Sequence, residues 1–188
     1  MKKYSFLVLS LMLLFGCNST DNSKKLTLKD AYKNMFFIGT ALHEKQITGE
    51  DESSVNVIKS NFNSITAENI MKSEIMQPQE GEFDFTLADK FVEFGEQNGM
   101  NIIGHTLIWH SQAPSWFFID DEGNDVAPEV LKERMKTHIS TIVSRYKGRI
   151  EGWDVVNEAI EDDGSWRKSK FYEILGEDFI PLAFEYAN

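Results

Sequence analysis

The run Trp153-Asp154-Val155-Val156-Asn157-Glu158-Ala159 brings an amide and a carboxyl together at the end of a short apolar stretch that reads as a buried strand. A carboxyl there is suited to general acid/base work. Partial burial and a second carboxylate nearby both disfavour its charged form, raising a glutamate pKa towards the range useful for protonating a leaving oxygen near neutrality. The same pair would also suit a plain helix start, with Asn157 as cap and Glu158 facing the helix dipole. Taken alone, the heptapeptide leaves both readings open. The four histidines are scattered, with no pair at ligand spacing backed by a carboxylate, so the pattern implies no catalytic metal and no cofactor.

These residues must be positioned by an alternation of short apolar strands and longer helices. Strands are expected over Met35–Leu42, Phe62–Ala67, Asn101–Leu107 and Ile150–Val156. A helix over Asp51–Asn61 carries Val55 and Ile58 at helical spacing, and a second, capped by Thr86, carries Leu87, Phe91, Val92 and Phe94 and ends at Gly99. A long helix capped by Asp125 runs through Leu131, Met135, Ile139 and Ile142 to Gly148, and a last helical region, Lys168–Ala187, is interrupted near Pro181. Four strand-then-helix units fit either an open doubly wound sheet or half of an eight-stranded barrel. No glycine-rich loop joins a strand to a helix. The polar residues Glu68-Asn69, His105 and Asn157-Glu158 end successive strands, where a barrel keeps its chemistry. The expected fold class is therefore α/β, a (β/α)8 TIM barrel of which about the first four β/α units are present.

The 188 residues are 41% hydrophobic, enough to bury a core, and carry a net charge of -11. That charge repels phosphate backbones and anionic lipid, so nucleic acid is excluded as a partner, while a neutral polymer is not repelled. Met1-Lys2-Lys3 followed by the apolar run Phe6–Phe15 has the form of a secretory leader, too short to span a bilayer permanently. It ends in Leu14-Phe15-Gly16-Cys17, which resembles a bacterial lipobox. The expectation is a signal peptide over residues 1–16, lipid on Cys17, a tether and lead-in over 17–33 and a catalytic domain over 34–188. The protein would then cross the inner membrane and stay at the outer membrane or cell surface, touching membrane only through its anchor. Cys17 is the single cysteine, so no internal disulfide can form.

Three blocks carry a resemblance to family 10 glycoside hydrolases of the xylanase type: Thr66-Ala67-Glu68-Asn69 through Lys72 to Gly81-Glu82-Phe83-Asp84-Phe85; Gly104-His105-Thr106-Leu107-Ile108-Trp109-His110-Ser111-Gln112; and Trp153 to Ala159. The resemblance implies hydrolysis of internal β-1,4-xylosidic bonds in xylan and xylo-oligosaccharides by a retaining double displacement. Glu158 would be the general acid/base and Asn157 the partner of the sugar 2-hydroxyl. Glu68, Asn69 and Lys72 match residues that grip the glycone sugars. His105 and Trp109 match residues lining the cleavage subsite, with Gln112 close by.

His110 and Trp153 read as supporting groups, and Trp116, Phe117 and Phe118 as core aromatics. Ser73 departs from the family, which usually has a bulkier residue after the lysine, and this bears on the distal glycone subsite. A retaining enzyme also needs a nucleophilic carboxylate about 5 to 5.5 Å from the acid. In the family it ends a later strand in an Ile-Thr-Glu-Leu-Asp type motif, and no such motif follows in the 188 residues. The chain is thus expected to be an incomplete catalytic domain, inactive and poorly folded by itself. The other readings are a non-catalytic, surface-anchored xylan-binding protein, and a cellulase or mannanase of the same barrel clan, which would lack the Gly104–Gln112 block.

Overall fold

Four strands lie side by side in chain order, β1 (Gly39–Leu42), β2 (Ser64–Ala67), β3 (Asn101–Trp109) and β4 (Gly152–Asn157), and every neighbouring pair is parallel. A doubly wound sheet reverses its strand order at a switch point. This sheet has no reversal among the described residues, and it winds in one direction as a barrel wall does. The structure is a computed structural model that describes residues 26–188. The expected leader, the expected lipidation site Cys17 and most of the expected tether lie outside the described residues.

The helices are α1 (Leu28–Tyr32), α2 (Glu44–Thr48), α3 (Glu52–Asn61), α4 (Ser73–Met76), α5 (Thr86–Gln97), α6 (Pro128–Arg145), α7 (Lys170–Leu175) and α8 (Phe179–Ala187), and α2 to α6 form the crossovers between successive strands. Leu131, Met135, Ile139 and Ile142 form one stripe of α6 and are all buried, as their spacing requires. They pack with Phe91 and Val92 of α5 and with Ile65, Ile102 and Leu107 of the sheet. Among the described residues no helix is long and apolar enough to cross a membrane.

Several boundaries differ from expectation for local reasons. β1 begins at Gly39 rather than Met35, because Met35 N–H bonds back to Tyr32 and Ile38 N–H donates to the Asn63 side chain. Phe62 N–H closes α3 on Ile58, so β2 starts two residues later than predicted. Thr86 does not cap α5. It is the first helical residue, and Asp84 Oδ1 accepts its N–H at 2.9 Å. Asp125 does not cap α6 either, which opens on Pro128, a residue with no N–H to satisfy. The Asp125 carboxylate instead accepts from Lys170 Nζ at 3.0 Å. Pro181 lies harmlessly in the first turn of α8, and the break in the last helical region falls at Gly176.

β3 runs two residues further than expected, to Trp109, and its pairing with β4 is interrupted by an irregularity between His105 and Ile108. The register sets His105 opposite Asp154 and Trp109 opposite Asn157. Bulges of this kind re-aim side chains at strand ends. A close approach fixes the middle of the same pair, since a Cβ on Gly104 would lie 2.2 Å from the Trp153 ring.

Candidate active site

The helix-cap reading of Asn157-Glu158 fails, because the next helix does not begin until Lys170 and takes Ser169 as its cap. Glu158 instead follows the last residue of β4 with φ at 53°, the left-handed region that a non-glycine residue occupies at a cost of about 1–3 kcal/mol. Its carboxylate lies at the C-terminal end of the sheet, where Trp109 Nε1 donates to Oε2 at 2.8 Å. The side chain is 48% exposed, more open than the partial burial expected of it. His110 Nδ1 lies 3.7 Å from the same Oε2. Burial and the Arg167 guanidinium both lower the His110 pKa, against the pull of Glu158 and Glu161.

Beside this carboxylate runs a hydrogen-bonded line of three residues. Lys72 Nζ lies 3.0 Å from His105 Nε2, and His105 Nδ1 lies 2.8 Å from Asp154 Oδ2. An ammonium has no lone pair, so Nε2 must accept, and Nδ1–H is left to donate to Asp154. His105 is therefore partnered at both ring nitrogens and is partly exposed, not a histidine sealed in the core. Lys72 is 4% exposed, and its ammonium also sits 3.9 Å above the centre of the Trp109 ring, a cation–π contact. Burial lowers the Lys72 pKa from the ordinary lysine range, while Glu158, Glu68 and Asp154 pull it back up. The charges of three carboxylates, Asp154 on β4, Glu158 just after it and Glu68 just after β2, thus all act on the lysine.

The remaining sequence-predicted residues divide. Glu68 is exposed just past β2, with its N–H on Leu42 O at 3.0 Å, and Asn69 O accepts from Lys72 N at 2.9 Å, so the turn that carries both also presents the lysine. Asn157 ends β4, partly buried, opposite Trp109. Gln112 is drawn elsewhere, its Nε2 donating to Glu74 Oε1 at 2.9 Å. Trp116 Nε1 donates to Gln77 O, and Phe117 and Phe118 are buried, so that cluster is core as read. Asp154, His110 and Arg167 were not singled out as site residues. The register partner of His105 could have flagged Asp154, but only once β3 and β4 were paired.

Behind the site, Ser73 turns into the core. Its Oγ lies 3.3 Å from both Leu107 O and His138 Nε2, while His138 Nδ1 lies 2.7 Å from Gln77 Oε1. A bulkier side chain after Lys72 would displace His138, whose complete burial lowers its pKa to about 4. Among the described residues no group of three or more His, Cys, Asp or Glu is placed to hold a metal.

The profile of glycosyl hydrolase family 10 matches residues 27–188. The chain is 50% identical over 188 residues to endo-1,4-beta-xylanase A of Xylanibacter ruminicola, covering 100% of this chain and 50% of that protein. It is 42% identical over 191 residues to endo-1,4-beta-xylanase A of Halalkalibacterium halodurans, covering 93% and 48%. An endoxylanase of this family from a sugarcane soil metagenome superposes with a TM-score of 0.81 at 51% identity, covering 85% of this chain and 47% of that one. A mutant of the intracellular xylanase of Thermoanaerobacterium saccharolyticum, solved with xylotriose, does so with 0.82 at 38% identity, covering 88% and 53%. The chain spans about half the length of the curated relatives it matches. With the sheet order, the strand-end chemistry and these matches in agreement, the chain belongs to glycosyl hydrolase family 10, and its four parallel units are the N-terminal half of that family's (β/α)8 barrel.

Proposed function

We propose that this chain supplies the general acid/base and the glycone-binding wall of a retaining endo-1,4-β-xylanase that acts on xylan and xylo-oligosaccharides. The observation that carries the reading is the Trp109–Glu158 hydrogen bond at the C-terminal end of β4. An indole N–H only donates, so Oε2 of Glu158 must accept, which leaves Oε1 as the oxygen turned to the leaving group. Oε1 accepts no hydrogen bond among the described residues, and the half-exposed side chain leaves it open to a glycosidic oxygen. Glu158 protonates that oxygen as the bond breaks. As a carboxylate it then removes the proton from the water that releases the sugar.

Between these steps the sugar is held covalently on a second carboxylate about 5 to 5.5 Å away. The family resemblance puts that residue on a later strand than the four present here. Glu68, Asn69 and Lys72 offer both acceptors and donors to glycone hydroxyls, and His105, fixed by Asp154, lines the cleavage point. Asn157 bonds the 2-hydroxyl, a contact that strengthens as the ring flattens. Gln112 contributes least, being engaged by Glu74. The bound xylotriose named for the Thermoanaerobacterium saccharolyticum structure fits this substrate class.

The test uses the protein at its full natural length, with xylan and cellulose as competing substrates and anomeric NMR during hydrolysis of a xylo-oligosaccharide. Xylan cleavage with the β-anomer formed first is the expected result. Binding of xylan without cleavage, or first formation of the α-anomer, would overturn the reading. A surface location through lipid on Cys17 is proposed with it and is supported by residues 1–17 alone.

A further inference from the structure

The loop that joins β4 to α7 is folded into a small hairpin whose role the acid/base chemistry does not by itself require. Ile160 pairs antiparallel with Trp166, Glu161 N–H donates to Ser165 O at 2.8 Å, and Arg167 N–H donates to Ala159 O at 2.9 Å. The turn is closed by Gly164 N–H on Glu161 O, with Asp163 Oδ1 accepting from Ser165 N. Backbone pairing therefore returns the chain to Glu158 and sets Arg167 beside it.

The guanidinium then makes two contacts. Its Nε donates to the main-chain carbonyl of Glu158 at 2.8 Å, and an Nη lies 3.0 Å from Glu161 Oε2 on the opposite arm of the hairpin. The ion pair aims the fork, and the Nε–H fixes the direction of the Glu158 carbonyl. That carbonyl belongs to a residue whose φ of 53° is unfavourable for any side chain but glycine's hydrogen. Left unheld, the peptide would relax towards an ordinary extended conformation and swing the carboxylate away from Trp109. The side chain is tied at its tip by the indole and the main chain at its root by the arginine.

We propose that Arg167 is a positioning residue for Glu158: through the hairpin it locks the left-handed backbone that aims the acid/base at the glycosidic oxygen. The proposal rests on the acid/base reading given above. It assigns Arg167 no contact with substrate and no proton.

The test is a comparison of Arg167→Met, Arg167→Lys, Glu158→Ala and the double variant Glu158→Ala/Arg167→Met in the protein at its full natural length. Misaiming a catalytic group by about 1 Å costs on the order of 100-fold. Arg167→Met is therefore expected to lower kcat on xylan roughly 10- to 100-fold with KM within about 2-fold, and Arg167→Lys, which keeps one charged donor, to recover most of it. Because Arg167 acts through Glu158, the double variant should be no slower than Glu158→Ala. Multiplicative loss in the double variant, or equal loss in kcat and in thermal stability across both Arg167 variants, would overturn the proposal. The Trp109 indole N–H resonance gives a readout independent of turnover. It should move in Arg167→Met as it does in Glu158→Gln, and an unmoved resonance would also overturn the assignment. Should the unaltered protein fail to cleave xylan, the acid/base reading falls, while the indole signal still decides the positioning role. If Arg167→Met does not fold, Arg167→Gln, which also removes the charged fork, takes its place in both the kinetic and the indole readouts, with the same results expected.

Discussion

On the proposed acid/base reading, the oxygen of Glu158 that Trp109 leaves free serves the leaving group, so the effect of losing Glu158 is expected to depend on what that group is. Glu158→Ala should lower turnover on xylan by roughly 100- to 10,000-fold, the span usual for loss of a general acid/base. An aryl xyloside with an acidic phenol needs no proton at the first step and should lose much less, with added azide speeding release of the trapped sugar. Equal loss on both substrates with no azide effect would remove Glu158 from this role. A second residue, His138, makes a pH prediction. Its folded pKa is about 4 and its unfolded one near 6.5, so between those values the unfolded chain binds a proton that the folded chain does not. Stability is therefore fully present above about pH 6.5 and is lost as pH falls towards 4, by about 3 kcal/mol for a ring with no exposure. Urea midpoints taken at about pH 7 and about pH 5 should converge in His138→Gln, and an unchanged difference would assign the acid sensitivity elsewhere. Glu158, Lys72, His105 and Trp109 were legible from motif and order. Asp154 and Arg167 were not, because the contacts that give them meaning depend on strand register and on a hairpin that no local pattern announces.

At the scale of elements, the β3–β4 pair sets the site, and Gly104 governs its spacing. An alanine Cβ there would meet Trp153 Cε3 at 2.2 Å, whereas one at Gly152 would meet Ile103 Cδ1 at an ordinary 3.5 Å. Gly104→Ala is expected to cost about 1–3 kcal/mol by overpacking, and Gly152→Ala markedly less. Chemical denaturation of the two variants checks this, and equal costs would show that Trp153 moves aside freely. The strands and the long helices were readable from apolar spacing, and their ends were less so. Thr86 and Asp125 have the chemistry of caps, but which polar residue caps a helix depends on where the chain enters it. Asp84 sits two residues before Thr86, and Lys170 had already engaged Asp125. The short helices α2 and α4 went unread because four or five residues carry too little periodicity.

For the molecule as a whole, the choice of a barrel wall over a doubly wound sheet was made from the absence of a glycine-rich loop and from polar strand ends, and the uninterrupted order of the strands agrees with it. The leader predicts a location. Cys17→Ser should release the protein from the membrane fraction of its native cells, since each buried lipid methylene contributes about 0.8 kcal/mol to attachment. A wild-type protein that is already fully free of the membrane fraction would sink the anchor. The order of the strands also bears on how the polypeptide acquires its shape during synthesis. Gly39 pairs with Ser64, Ser64 with Asn101 and Ile103 with Gly152, so each strand finds its partner in chain already made. Closure of such modest loops is entropically cheap, and a sheet of this kind is able to grow one strand at a time as the nascent chain leaves the ribosome. The strand that leads into Glu158 is the last of the four to emerge, and the frame that orients it is by then already built.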